Sequence, residues 1–191
     1  MLDSLYARIS AWNQWPLLAL VIVIAVLCSQ GFDRRKGVLK AACVKLHPGD
    51  ERCEGELTLD SRVYNKAERR LGYNQADVRT LLDLLGEKGR RIYGQTELSL
   101  DLAFPIVYGL LFVILLAHLF SARHAWVLLF PLAGVTFDVL ENVSVATMAL
   151  TNDEKLAAAA SAFTLTKSAF LLASALLIIF GALRGLFGHG A

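Results

Sequence analysis

The sequence predicts an all-α protein, a four-helix transmembrane bundle with a small helical extramembrane cap between the first and second spans. Three observations carry this expectation. Hydrophobic residues make up 55% of the 191 residues and the mean hydropathy is +0.50, more apolar than an ordinary soluble domain. Charge is segregated: 14 of the 19 Lys and Arg, and 11 of the 17 Asp and Glu, fall between Gly31 and Leu98. Four apolar stretches, Trp15–Ser29, Leu98–Phe120, Ala125–Leu150 and Leu156–Leu183, occupy the rest of the chain. The last three reach the roughly 20 residues that a bilayer core demands, and the first is shorter but very apolar. The chain thus divides into an N-terminal segment and first span (1–31), an extracytoplasmic helical loop (32–97), and three further spans with a short tail (98–191).

Trp12 and Trp15 at the start of the first stretch suit a membrane interface. Its flank carries Arg8 against Asp3, and Leu27 stands where a lipobox needs a small residue before Cys28. The stretch therefore reads as a retained anchor rather than a cleaved signal. If the four spans alternate, Arg8, Arg123 and Arg184 share one side and Asp153-Glu154-Lys155 lies opposite. This places both termini in the cytoplasm of a cell inner (plasma) membrane and the long loop outside, in the periplasm. Arg34-Arg35-Lys36 and Arg90-Arg91 oppose that orientation, but they flank a loop too long for the charge rule. Cys43 and Cys53 bracket a turn-rich stretch containing His47-Pro48-Gly49-Asp50, and a disulfide there fits an oxidising compartment. Zinc is disfavoured by a lone nearby histidine and the absence of C-x₂-C spacing.

Within the loop, Val63, Tyr64, Ala67 and Leu71 fall at helical spacing over Arg62–Leu71, and Gly72 ends that run. Asn74 is an N-cap for a second helix, with Asp77 near its start, an apolar stripe of Val78, Leu81, Leu82 and Leu85, and Gly86 as its stop. A third short helix, Lys88–Tyr93, leads into the second span. Phe32–Thr58 reads as irregular or as a short strand pair. Helices this short cannot bury their stripes alone, so they pack over the mouth of the bundle or lie on the headgroups.

The candidate site lies inside the spans. Asp138, Glu141 and Asn142 stand at i, i+3 and i+4, on one face of the third span. Counted from the loop side, Glu141 is roughly 14 Å deep in its span and Lys167 roughly 16 Å deep in the next. Charges at matching depth hold each other in a medium that solvates neither. Asp101 and Tyr108, seven apart on the second span, share a face, and Pro105 between them frees a backbone carbonyl or bends the helix. Gly109 permits close helix approach, and Thr136, Ser144, Thr164, Thr166 and Ser168 add hydroxyls around the cluster. Gly181-x-x-x-Gly185 offers a small-residue face for the first span, for another copy in a homo-oligomer, or for a membrane-protein partner.

Such a cluster clamps helices, or it binds a small ligand, a lipid or an ion. Asp138 and Glu141 are the candidate ligands for a divalent cation. An enzymatic alternative acts on a lipid headgroup, with a carboxylate-held metal or with one carboxylate as general base and Lys167 stabilising negative charge. No H-E-x-x-H, G-x-S-x-G, Walker, C-x-x-C or C-x-x-C-H motif occurs. His118 and His124 read as interfacial residues. A net charge of +2 with no basic stripe argues against nucleic acid as a partner, leaving the lipid bilayer.

Gly89-Arg90-Arg91-Ile92-Tyr93, Asp101-Leu102-Ala103-Phe104-Pro105-Ile106-Val107-Tyr108-Gly109 and Phe137-Asp138-Val139-Leu140-Glu141-Asn142 together resemble a pattern found in uncharacterised small four-helix bacterial integral membrane proteins. The resemblance implies an architecture and no mechanism. It also implies that Asp101, Tyr108, Asp138, Glu141 and Asn142 form one constellation.

Overall fold

The computed structural model describes residues 14–55, 57–59, 64–65 and 70–187. Asp3, Arg8, Trp12, Arg62, Val63 and Ala67, which the sequence singles out, lie outside them. The described chain is helical apart from one two-residue ladder. By length and composition, three helical stretches can cross a membrane; they lie within Gln75–Leu119, Ala122–Thr151 and Ala157–Gly185.

Helix α1, Gln14–Leu46, runs unbroken for 33 residues. The expected first span is its N-terminal half, where Leu20, Ile22, Val23, Val26 and Leu27 are exposed. The expected irregular stretch after Phe32 is instead helical as far as Leu46. Its buried face, Arg35, Leu39 and Cys43, has helical spacing, and no proline intervenes before Pro48. Pro48 disfavours helix at His47, and Gly49, at φ 81°, turns the chain. Asp50 then caps a short 3₁₀ helix, Glu51–Glu54, by accepting the Arg52 amide at 3.0 Å. Hydrogen bonds from Arg52 hold the exposed Asp50 carboxyl down at about 2. Cys43 and Cys53, with Cα atoms 5.6 Å apart, form a disulfide that ties this turn to α1.

Where a helix was expected over Arg62–Leu71, Tyr64–Asn65 (β1) and Arg70–Leu71 (β2) pair antiparallel, with Tyr64 opposite Leu71. Tyr64 carries β propensity, and Gly72, at φ 72°, terminates the second arm. Helix α2, Gln75–Glu97, begins as the sequence indicates. Asn74 accepts the Asp77 amide at 3.0 Å and Asp77 accepts the Asn74 amide at 2.9 Å. Val78, Leu81, Leu82 and Leu85 are all buried. Gly86, at φ 58° and ψ −178°, is non-helical and ends the first of two helical segments of α2, beside Leu46. The expected short helix Lys88–Tyr93 lies in the second segment, which runs on to Glu97.

Helix α3 spans Leu100–Leu119. A 3₁₀ turn, Ala122–Leu128, replaces the start of the expected third span, and α4 covers Leu129–Thr151. Asn152, left-handed at φ 54°, ends α4, and α5 runs from Ala157 to Phe187. Each of α4 and α5 is the other's principal neighbour; α3 packs against both, α1 lies against α2 and α3, and α2 rests on α4. Gly109 admits Val135 of α4, as expected of a close crossing. Gly181 packs on Leu119 and Phe120, at the end of α3, rather than on the first span.

The apolar interior forms two clusters. One joins Leu39, the disulfide, the α2 stripe and Tyr93 to Val145, Met148 and Ala160 near the α4–α5 turn. The other joins Val113, Leu116 and Ala117 to Val127 and Leu128 at the opposite ends of the helices. The polar residues of α3, α4 and α5 lie between them in sequence position along each helix.

Candidate functional site: a polar cleft over α3 and α4

On α4, helical spacing aims Asp138, Glu141 and Asn142 inward, and all three are buried. Lys167 of α5 meets the two carboxylates. Its Nζ donates to Asp138 Oδ1 at 2.7 Å and lies 2.5 Å from Glu141 Oε2. Tyr108 of α3 donates its hydroxyl proton to Asp138 Oδ2 at 2.5 Å. Thr164, one turn before Lys167, donates to Glu141 Oε1 at 2.6 Å and also lies 3.3 Å from the Tyr73 hydroxyl. Glu141, at 0% exposure, is thus held by α5 through two side chains.

Asp101 joins a second group. Its carboxylate pairs with Arg35 of α1, and the same guanidinium donates to Glu97 Oε1 at 3.3 Å. Arg35 is flanked by the rings of Phe32 and Tyr93, with Cζ 5.2 Å and 5.7 Å from their centroids. Asn142 links the two groups, because its Nδ2 donates to the backbone carbonyl of Asp101 at 2.6 Å. That carbonyl is the one Pro105, four residues on, cannot bond. The proline on α3 and the asparagine on α4 are complementary parts of one contact.

The six residues selected from sequence therefore assemble, in two linked groups rather than one. The sequence reading missed Arg35, Glu97 and Tyr73. Arg35 was counted with its neighbours as a membrane-flanking charge; continuing the helix through Phe32 and Leu39 would have turned it inward. Of the five hydroxyl residues expected around the cluster, only Thr164 reaches it. Thr136, Ser144, Thr166 and Ser168 bond carbonyls of their own helices at 2.7–2.9 Å. Lys167 stands between the two carboxylates considered as ligands for a divalent cation. Among the described residues, no three His, Cys, Asp or Glu side chains are grouped to hold a metal ion.

A cleft of roughly 520 Å³ opens beside these groups. Its floor is Asp101, Phe104 and Tyr108 of α3 with Asp138 and Asn142 of α4. Ser29, Phe32, Asp33, Arg35 and Lys36 of α1, Thr58, and Lys167 and Leu171 of α5 complete its lining. Its volume falls in the range of small-molecule sites, and buried polar groups converge on an otherwise partly aromatic surface. Compared with protein-family models, curated proteins and solved structures, the chain gives no match.

Proposed function

We propose that this chain is a multi-pass protein of the inner (plasma) membrane that binds a small polar ligand, a lipid headgroup, in the cleft between α1 and α5. In this reading α1 supplies a fourth span, and its exposed apolar half, Leu20 to Leu27, faces acyl chains. The segment from Leu39 to Glu97 caps the extracytoplasmic end of a four-helix bundle, and both termini are cytoplasmic. The oxidised Cys43–Cys53 pair supports an extracytoplasmic cap.

The observation that carries the binding reading is the cleft that the charged layer lines. A cleft beside an ion pair lets solvent or a ligand screen it, so a pair that only clamps helices gains nothing from one. Here Asp138 and Lys167 border a cleft large enough for a headgroup. The wall residues Phe32 and Leu171 give a ligand's apolar part a lateral way out into lipid.

The test is mass spectrometry of the protein extracted from its own membrane in mild detergent. Wild type is expected to carry one tightly held lipid per chain, and Leu171→Trp, which fills the cleft, to lose it without a fall in Tm. A wild-type protein that carries no such mass is a clamp, and the binding reading fails.

A further inference from the structure

We infer that the groove between the second half of α1 and α2 is a separate site for an anionic phospholipid of the outer leaflet. The inference rests on the proposed membrane setting but not on a lipid in the cleft beside α5. The groove measures roughly 810 Å³, within the range of small-molecule sites, and shares no lining residue with that cleft.

Two contacts fix how its walls align. Arg35 pairs with Glu97, and Leu46 packs on Gly86. Each contact joins α1 to the second segment of α2 or to its start, so the two walls run antiparallel. The Arg35–Glu97 end is the one nearer the bilayer, because α3 begins at Leu100. Heights above that end follow from the helical rise. Val38 stands roughly 5 Å up and Ile92 roughly 8 Å, Ala41 and Arg91 roughly 9 Å, Lys88 roughly 14 Å, and Glu87 and Lys45 roughly 15 Å. From the membrane side the lining is thus apolar first, then mixed, then charged, with Leu46 and Leu85 beside Gly86 at the far end. This is the order of an acyl chain followed by its headgroup.

Lys45, Lys88 and Arg91 are exposed, and none forms an ion pair with a described residue. Glu87 is exposed and equally unpaired, which leaves the lining with two positive charges in excess. Below them Val38 is 49% exposed. Apolar surface beneath uncompensated cations suits a ligand that is both anionic and apolar. The three cations start within roughly 6 Å of one another in height, a span their own side chains cover, and a guanidinium can bind two phosphate oxygens at once. Free phosphate would leave the apolar part of the groove bare. A zwitterionic headgroup would bring a further ammonium among three cations, with only Glu87 to receive it.

The experiment uses the full chain in nanodiscs holding choline- and glycerol-headgroup phospholipids in equal amounts. Retained lipid is read by native mass spectrometry after mild extraction. At low ionic strength the anionic glycerol form is expected to be enriched about tenfold, and the enrichment to shrink in high salt. Lys45→Gln with Lys88→Gln should bring the two lipids near parity. Ala41→Trp, which fills the groove without changing its charge, should do the same. Arg34→Gln, on α1 but outside the lining, should leave the enrichment unchanged. All four positions are exposed, so Tm should not move. Equal retention in wild type overturns the site. So does an enrichment that survives Ala41→Trp, or that Arg34→Gln lowers as much as the lysine pair does, since either is charge near a membrane surface and no groove. Leu171→Trp, which fills the other cleft, should leave the enrichment intact; its loss there assigns the anionic lipid to that cleft and overturns this site. Whether Leu171→Trp sheds a lipid of any headgroup is read in the same spectra, so the two readings fail separately.

Discussion

Lys167 is the residue on which the interior depends. Replacing it with Met leaves Asp138 and Glu141 as neighbouring buried acids without their shared cation. Removing one partner of a buried pair costs about 3–5 kcal/mol, so a large fall in Tm in detergent is expected. Tyr108→Phe removes one of two donors to Asp138 and should cost about 1 kcal/mol. The contact between Asn142 and the Asp101 carbonyl allows a sharper test. Asn142→Leu strands a buried carbonyl and should cost about 1–3 kcal/mol. Pro105→Ala returns a backbone N–H to that carbonyl, so in its background the same change should cost measurably less. A double-mutant cycle by chemical denaturation that gives strictly additive losses would show that the two residues are not coupled. At this scale the sequence was informative, because spacing and depth alone brought Asp138, Glu141 and Lys167 together and flagged a freed carbonyl near Pro105. It could not reveal Arg35, whose inward direction depends on how far α1 extends.

Among the elements, the capped start of α2 was legible because capping is local: Asn74 and Asp77 need no tertiary partner. The extension of α1 and the pairing of β1 with β2 were not. The inward face of Phe32–Leu46 is punctuated by an arginine, which blurs the apolar stripe. Tyr64 and Leu71 satisfy helical spacing as well as cross-strand pairing, and only the partner strand decides between them. Gly86 was legible for the same reason as Asn74: a local backbone signal, it separates the two helical segments of α2. Its backbone, at φ 58° and ψ −178°, lies in a region that only glycine populates readily. Gly86→Ala should destabilise the protein by about 1–3 kcal/mol, read as a lower denaturation midpoint with unchanged m-value. The disulfide closes a short loop, with a sequence separation of 10. Cys43→Ser with Cys53→Ser should cost about 2–3 kcal/mol on loop entropy, and reducing agent should lower the Tm of wild type but not of the double variant.

For the molecule as a whole, the sequence conveyed the alternation of apolar segments and polar loop, since hydropathy is additive along a chain. The cleft was hidden, because a void depends on which helices fail to touch. The proposed orientation makes opposite predictions for two exposed sites. With a membrane-impermeant thiol reagent on intact cells, Asp83→Cys should label and Arg123→Cys should label only after the membrane is opened. The reverse pattern would invert the topology and put the disulfide in a reducing compartment. One property of α1 then reaches beyond the protein. A helix of 33 residues is a rod about 50 Å long, and it carries Phe32 and Asp33 of the cleft on the same stiff body as its exposed apolar half. Thicker bilayers stand such a rod upright and thinner ones lean it over. In the proposed membrane setting, acyl-chain length thereby becomes a dial on the width of the gap beside α5, and the proposed lipid retention should vary with that length even when every headgroup present is the same.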